Sequence, residues 1–144
     1  MSLAETYLKE LQNLTLDIQS RIDEIAELES GLLSSPKWSV NKVQSNQQRR
    51  VDDVYNQLIV MKEAIEQDTN KIIQRKLELS RLINQLNNPK LRAVLRMTYI
   101  NHMYVDDVCD SLGGMSRPTF YRLKKEAISE LDHLLSDLIV NETE

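Results

Sequence analysis

Residues 99–125 read Tyr-Ile-Asn-His-Met-Tyr-Val-Asp-Asp-Val-Cys-Asp-Ser-Leu-Gly-Gly-Met-Ser-Arg-Pro-Thr-Phe-Tyr-Arg-Leu-Lys-Lys. The spacing predicts two helices joined by a tight turn. A short amphipathic helix places Val105, Val108, Cys109 and Leu112 inward and stops at Gly113, the residue type best able to leave a helix through a left-handed conformation. A second helix then begins. Ser116 is suited to its N-cap, Pro118 is tolerated in a first turn whose amide hydrogens lack helical partners, and Phe120, Leu123 and Ala127 form its inward face. The opposite face is basic: Arg117, Arg122, Lys124 and Lys125 fall within residues 113–125 with no acid among them. A basic helix that starts at a tight turn suits the phosphates and base edges of a DNA major groove.

The second helix can be read residue by residue. With Phe120, Leu123 and Ala127 inward, a rotation of about 100° per residue leaves Pro118, Arg122 and Lys125 near the centre of the outer face. Thr119 and Tyr121 flank them. Arg122 can donate two parallel hydrogen bonds to guanine, with a phosphate contact or an ion pair to Glu126 as its alternatives. Arg117, in the first turn, can do the same or grip a phosphate. Thr119 offers a hydroxyl to phosphate or a methyl to thymine, while Tyr121, Lys124 and Lys125 suit the sugar–phosphate backbone. With the cap Ser116, these eight positions are the candidate DNA-binding residues.

The same stretch resembles region 4 of bacterial sigma factors and related phage regulators. That superfamily has a Leu-x-x-x-Tyr-Ile lead-in, a short acidic helix ending Leu-Gly, a Ser-Arg cap and a helix containing Tyr-Arg. The matching residues are Leu95 to Ile100, Asp106 and Asp107, Leu112-Gly113, Ser116-Arg117 and Tyr121-Arg122, within a match over roughly residues 88–131. With the long helical region before it, the chain resembles phage late-gene regulators of the RinA and ArpU type. The resemblance implies base contacts from Arg117, Pro118 and Arg122, of which the Pro118 contact can only be apolar. Gly113-Gly114-Met115 departs from the pattern by lengthening the turn by one residue, which bears on the angle between the two helices.

Upstream, helical periodicity continues. Leu11, Leu14, Ile18, Ile22, Ile25, Leu28 and Leu32 mark a helix over about residues 4–33, roughly 45 Å long at 1.5 Å per residue. Gly31 and Ser34-Ser35-Pro36 end it, and a polar loop at about 34–48 carries the lone Trp38, which either caps the stem or meets a protein partner. A second helix, about 49–87, has a strict seven-residue series at Val51, Leu58, Ile65, Ile72, Leu79 and Leu86, with Asp68 and Arg75 interrupting the intermediate positions. Neither helix can bury its stripe alone. The economical solution is all-α: a long antiparallel helical hairpin, a coiled-coil-like stem over residues 1–87, followed by a helix-turn-helix domain over 88–144. Asn88 and Pro89 start the first helix of that domain, over 89–101. Its last helix runs on through Leu131, Leu134, Leu135, Leu138 and Ile139, an apolar face that either docks on the stem or pairs with a second copy.

Charge and composition narrow the function. The net charge of −4 is unevenly spread: residues 3–33 carry seven acids and two bases, whereas residues 69–96 carry seven bases against Glu78 alone. Positive charge therefore concentrates beside the helix-turn-helix. One cysteine excludes an intrachain disulfide and fits a reducing compartment. No segment approaches the ~20 apolar residues of a membrane span, and no basic-then-apolar leader opens the chain. These features predict a cytoplasmic protein, and the resemblance implies that the cytoplasm is that of a bacterial host cell. Cys109 falls at a small inward position that reads as core, His102 and His133 share no metal-ligand spacing, and Asp106, Asp107 and Asp110 complement the positive end of a helix. No Gly-rich phosphate loop, nucleophile elbow or metal signature occurs, so the expectation is no enzyme and no cofactor or metal. The leading expectation is a sequence-specific DNA-binding regulator of transcription that binds double-stranded DNA as a homodimer, and the resemblance implies that it is phage-encoded and acts on late genes. The alternative is a protein interaction module that binds RNA polymerase or another regulator through the sigma-like head and the acidic stem.

Overall fold

The computed structural model describes residues 2–33 and 44–143, and the fold is all-α. Helix α1 spans Leu3–Leu33, α2 Gln44–Ile83, α3 Pro89–Leu95, α4 Val105–Ser111 and α5 Arg117–Thr143, with a π-helical turn at Arg96–Ile100 following α3. Helix α2 begins at Gln44, inside the polar stretch read as a loop, where the sequence carries no apolar period. The rest of that stretch, with Trp38, lies outside the described residues.

Two compact units form, one from residues 14–72 and one from residues 1–13 with 73–144. In the first, Ile18 and Ile25 of α1 and Leu58 and Ile72 of α2 are buried. Cross-helix ion pairs join Glu29 to Lys62 and Arg21 to Asp68 at 2.8 Å, an order in which one chain position rises as the other falls, as between antiparallel neighbours. Asp68 thus interrupts the apolar series because it has a partner, and the Arg21 guanidinium holds its carboxyl below the usual carboxylate range. Ile22 and Leu28, counted into the stripe by spacing, are each 44% exposed. A straight helix of 3.6 residues per turn drifts past a seven-residue seam, which leaves the intermediate positions at its margin.

The second unit contains the larger core. Ala4, Leu8 and Leu11 of α1, Leu79, Leu82 and Ile83 at the end of α2, Leu86 in the link that follows, Leu91, Val94 and Leu95 of α3, and Ala127, Ile128 and Leu131 of α5 are buried. The first turn of α1 carries a capping box, in which Ser2 Oγ accepts from the Glu5 amide at 3.2 Å and the Glu5 carboxylate accepts from the Ser2 amide at 3.4 Å. Asp132 of α5 accepts from the Ala4 amide at 2.9 Å, a second side chain on the open amides of that turn. Arg75 pairs with Glu10 at 2.9 Å, and Tyr7 donates to the Arg75 carbonyl at 3.2 Å. Helix α2 ends in tighter turns, Gln85 N–H to Leu82 C=O and Leu86 N–H to Ile83 C=O, and the open carbonyl of Leu86 accepts from Arg92 at 2.6 Å. Leu131 thus lies in the core of this unit, while Leu138, Ile139 and Val140 beyond it are 44%, 49% and 54% exposed.

Candidate nucleic-acid interface

Helices α3, α4 and α5 enclose a small core of Val94, Val108, Cys109 and Phe120, ringed by the half-buried Met97, Met103, Val105, Leu112, Met115 and Leu123. Asn88 caps α3 by accepting from the Lys90 amide at 2.9 Å, and Pro89 takes the first helical position, where its missing N–H costs nothing. The helix then widens. The Asn101 amide reaches the Arg96 carbonyl, the Met103 amide reaches the Met97 carbonyl, and His102 between them sits at φ +52°. That left-handed residue turns the chain into α4.

The turn between α4 and α5 is a Schellman closure built on two glycines. Gly114 N–H bonds to Cys109 C=O at 2.9 Å and Gly113 N–H to Asp110 C=O at 3.3 Å, the paired pattern that satisfies the last carbonyls of a helix. Gly113 has φ +86° and Gly114 φ +76°, so the extra residue in the turn is a second left-handed position, and glycine meets both without a Cβ penalty. Ser116 then caps α5: its hydroxyl accepts from the Thr119 amide at 3.3 Å and pairs with the Thr119 hydroxyl at 2.9 Å. Phe120, 1% exposed, pins the start of α5 to the core.

The candidate residues divide by what already occupies them. Arg117 is held by Asp106 of α4 in a two-pronged pair, Nε to Oδ1 and Nη2 to Oδ2, both at 2.8 Å. The hydrogen bonds of that pair lower the Asp106 carboxyl pKa and raise that of the Arg117 guanidinium. Lys124 lies with its ammonium 5.7 Å from the centre of the Tyr99 ring, a cation–π contact. Ser116 and Thr119 are engaged with each other. Tyr121 is 50% exposed and stands edge-on to Phe120. Pro118, Arg122 and Lys125 are exposed, and neither Arg122 nor Lys125 forms an ion pair among the described residues, so Glu126 does not take up Arg122. The seven bases of residues 69–96 are largely occupied as well: Lys71 by Asp68, Arg75 by Glu10, Arg92 by the Leu86 carbonyl and Arg96 by Asn84.

Spacing along one helix could not show that α1 belongs beside this site. Tyr99, 5% exposed, has its hydroxyl pKa pushed up to about 12 by burial, with the Glu5 carboxylate of α1 adding to the shift, so the phenol stays protonated. Among the described residues no group of three or more His, Cys, Asp or Glu side chains is arranged to hold a metal ion, and no helix is long and apolar enough to cross a membrane. A family model described as a protein of unknown function (DUF1492) matches residues 32–132, and the chain belongs to that family. No curated protein and no solved structure matches the chain.

Proposed function

We propose that this member of the DUF1492 family is a sequence-specific DNA-binding regulator of transcription in which α5 enters a major groove. One observation carries the reading: Arg122 and Lys125 stand exposed, without ion-pair partners among the described residues, on the outer face of a helix anchored by Phe120 and a closed glycine turn. An exposed guanidinium with no competing carboxylate can give both of its parallel donors to guanine O6 and N7. Lys125 supplies charge to a phosphate, and Pro118 offers an apolar contact. Ser116 and Thr119 serve the groove by fixing where α5 begins. The resemblance to sigma region 4 and to phage late-gene regulators supplies the setting, a phage-encoded factor in a bacterial cytoplasm. Pairing of two copies, for which the exposed Leu138 on α5 is an available apolar contact, doubles the sequence read and makes the preferred site an inverted repeat.

Selection of bound duplexes from random DNA tests this directly. Against the selected site, Arg122→Ala is expected to cost about 1–3 kcal/mol and relax discrimination at one base pair, whereas Lys125→Ala weakens all sequences alike and lowers the salt slope by about one. Selection without enrichment, and equal binding of every duplex by native protein and both variants, refutes the proposal. Sedimentation at micromolar protein tests the dimer. One observation favours the rival reading of a module that binds RNA polymerase or another regulator: α4 presents exposed Asp106, Asp107 and Asp110 beside the basic helix, a surface that repels phosphate but suits a basic protein partner. That rival gains if polymerase captures the chain and free duplex does not.

A further inference from the structure

Beside α5, within the unit of residues 1–13 and 73–144, lies an open cleft of about 330 Å³. Lys9 and Gln12 of α1 form one side, Tyr121, Lys124 and Lys125 of α5 form the other, and Tyr99 also lines it. On α5 these positions follow the three- and four-residue spacing of one helix face, adjacent to the outer face that carries Pro118 and Arg122. Lys125 belongs to both. On α1, residues 9 and 12 again share a face.

The chemistry of the cleft is that of an anion site with a neutral donor in its wall. Three ammonium groups line it against one carboxylate, Glu5, and that carboxylate already accepts from the Ser2 amide in the capping box. Lys9 and Lys125 are exposed and make no ion pair among the described residues. The Tyr99 ring is occupied by Lys124, and its hydroxyl, which has no hydrogen-bond partner among the described residues, is open to solvent. A phenol hydroxyl that lines the cleft and is bonded to no protein group can exchange its water for a ligand oxygen arriving there.

We propose that this cleft seats a phosphate of the DNA backbone bordering the groove that α5 enters, with Lys9 and Lys125 neutralising its charge and the Tyr99 hydroxyl donating to a phosphate oxygen. The proposal rests on the DNA-binding reading and extends it to α1. A helix lying in a major groove has a phosphate strand along each flank, and the cleft occupies one flank of α5. Its open side suits a continuous polyanion that enters and leaves. Lys9 and Gln12 precede the residues matched by the family model, so this contact adds to the helix-turn-helix a grip that the matched region does not contain.

The test is a salt titration of the full chain on the selected duplex, followed by fluorescence anisotropy. Lys9→Gln is expected to lower the slope of log affinity against log salt by about 0.9, the counterions released by one phosphate contact. Tyr99→Phe keeps the ring and is expected to weaken binding about fivefold at every salt concentration with the slope unchanged, because a neutral donor releases no counterion. The thermal midpoint of Lys9→Gln should equal that of the native chain, since the side chain is exposed. An unchanged slope in Lys9→Gln, with Arg122→Ala still weakening the complex, overturns the cleft and leaves the groove reading standing. A native chain that binds no duplex overturns both. Saturable binding of inorganic phosphate at the Lys9 side chain without DNA overturns the backbone assignment in favour of a free-anion site.

Discussion

Truncating Phe120 to alanine tests the packing that aims α5. The ring is 1% exposed and contacts a core drawn from three other elements: Val94 from α3, Val108 and Cys109 from α4, and Met97 from the π-helical turn. Losing the burial of such a side chain removes about 1.5–3 kcal/mol of transfer free energy, and the space left behind adds a cavity penalty. Three of the half-buried neighbours, Met97, Met103 and Met115, are unbranched and can swing into the space, so the total should fall near the lower end of the usual range, about 3 kcal/mol. For a domain of this size, about 4–8 °C is lost per kcal/mol, which puts the midpoint about 12–24 °C lower. Circular dichroism at the helical minimum during heating measures the shift, and urea unfolding with an unchanged denaturant slope shows that stability alone has changed. Phe120→Leu keeps most of the apolar contact and should fall visibly less. A midpoint for Phe120→Ala within about 4 °C of the native value, the shift expected for a loss of 1 kcal/mol or less, would show that Phe120 is not the anchor.

Other residues make equally definite predictions. Gly113→Ala and Gly114→Ala should each cost about 1–2 kcal/mol in urea unfolding, because a Cβ there meets no atom within 4 Å and the whole penalty is the left-handed backbone; no loss in either variant would refute the Schellman geometry. Asp132→Ala should cost about 0.5–2 kcal/mol and speed amide exchange in the first turn of α1, since it removes the acceptor for the Ala4 amide. Asp106 has its folded-state pKa lowered by the Arg117 hydrogen bonds below the ordinary value of 3.8. Its stabilising contribution is therefore full above that unfolded value and lost as pH falls through the lowered one, so Asp106→Asn should flatten the acid side of a midpoint-against-pH profile below about pH 4; identical profiles would show that the pair does not form in solution. On the selected duplex, Arg117→Ala should lose less affinity than Arg122→Ala, because Arg117 gives up Asp106 to reach DNA while Arg122 gives up nothing; the reverse order in anisotropy titrations would refute that reasoning.

Burial along α2 was legible because on a long helix it recurs at a fixed period. Leu58, Ile72 and Leu79 of the seven-residue series are buried and Val51 and Ile65 are half-buried, while Leu86, also buried, falls past the end of the helix. Periodicity was less informative where apolar residues outnumber the positions a narrow seam can cover, which is why Ile22 and Leu28 are more exposed than their spacing suggests. It was silent where a helix carries no apolar period, at Gln44 to Gln47. The packing of residues 1–13 with residues 73–144 depends on contacts such as Ala4 with Asp132, which are 128 positions apart. Local pattern carries no information about a contact at that separation.

The site was legible where the chemistry is local. A cap serine, a glycine that must turn left-handed and an inward phenylalanine each follow from neighbours within one helical turn, and Ser116, Gly113 and Phe120 take those roles. The state of each cation is not local, because it depends on which acid the turn carries into reach. Arg117 and Asp106 lie eleven residues apart on different helices, and they meet because two consecutive left-handed glycines fold α5 back across the start of α4. The turn that departs from the usual pattern thus also decides how the four bases of residues 113–125 are divided, with Arg117 and Lys124 occupied by Asp106 and Tyr99, and Arg122 and Lys125 left to the solvent. An exposed ion pair is screened by water and exchanges one anionic oxygen for another at little cost, so Arg117 is held without being lost to a phosphate. The pair instead fixes the direction of the guanidinium before any ligand arrives, which reduces the side-chain entropy that a new partner must overcome. Counting bases along a helix therefore measures the charge available to a polyanion, whereas base discrimination depends on the cations whose donors no carboxylate already holds.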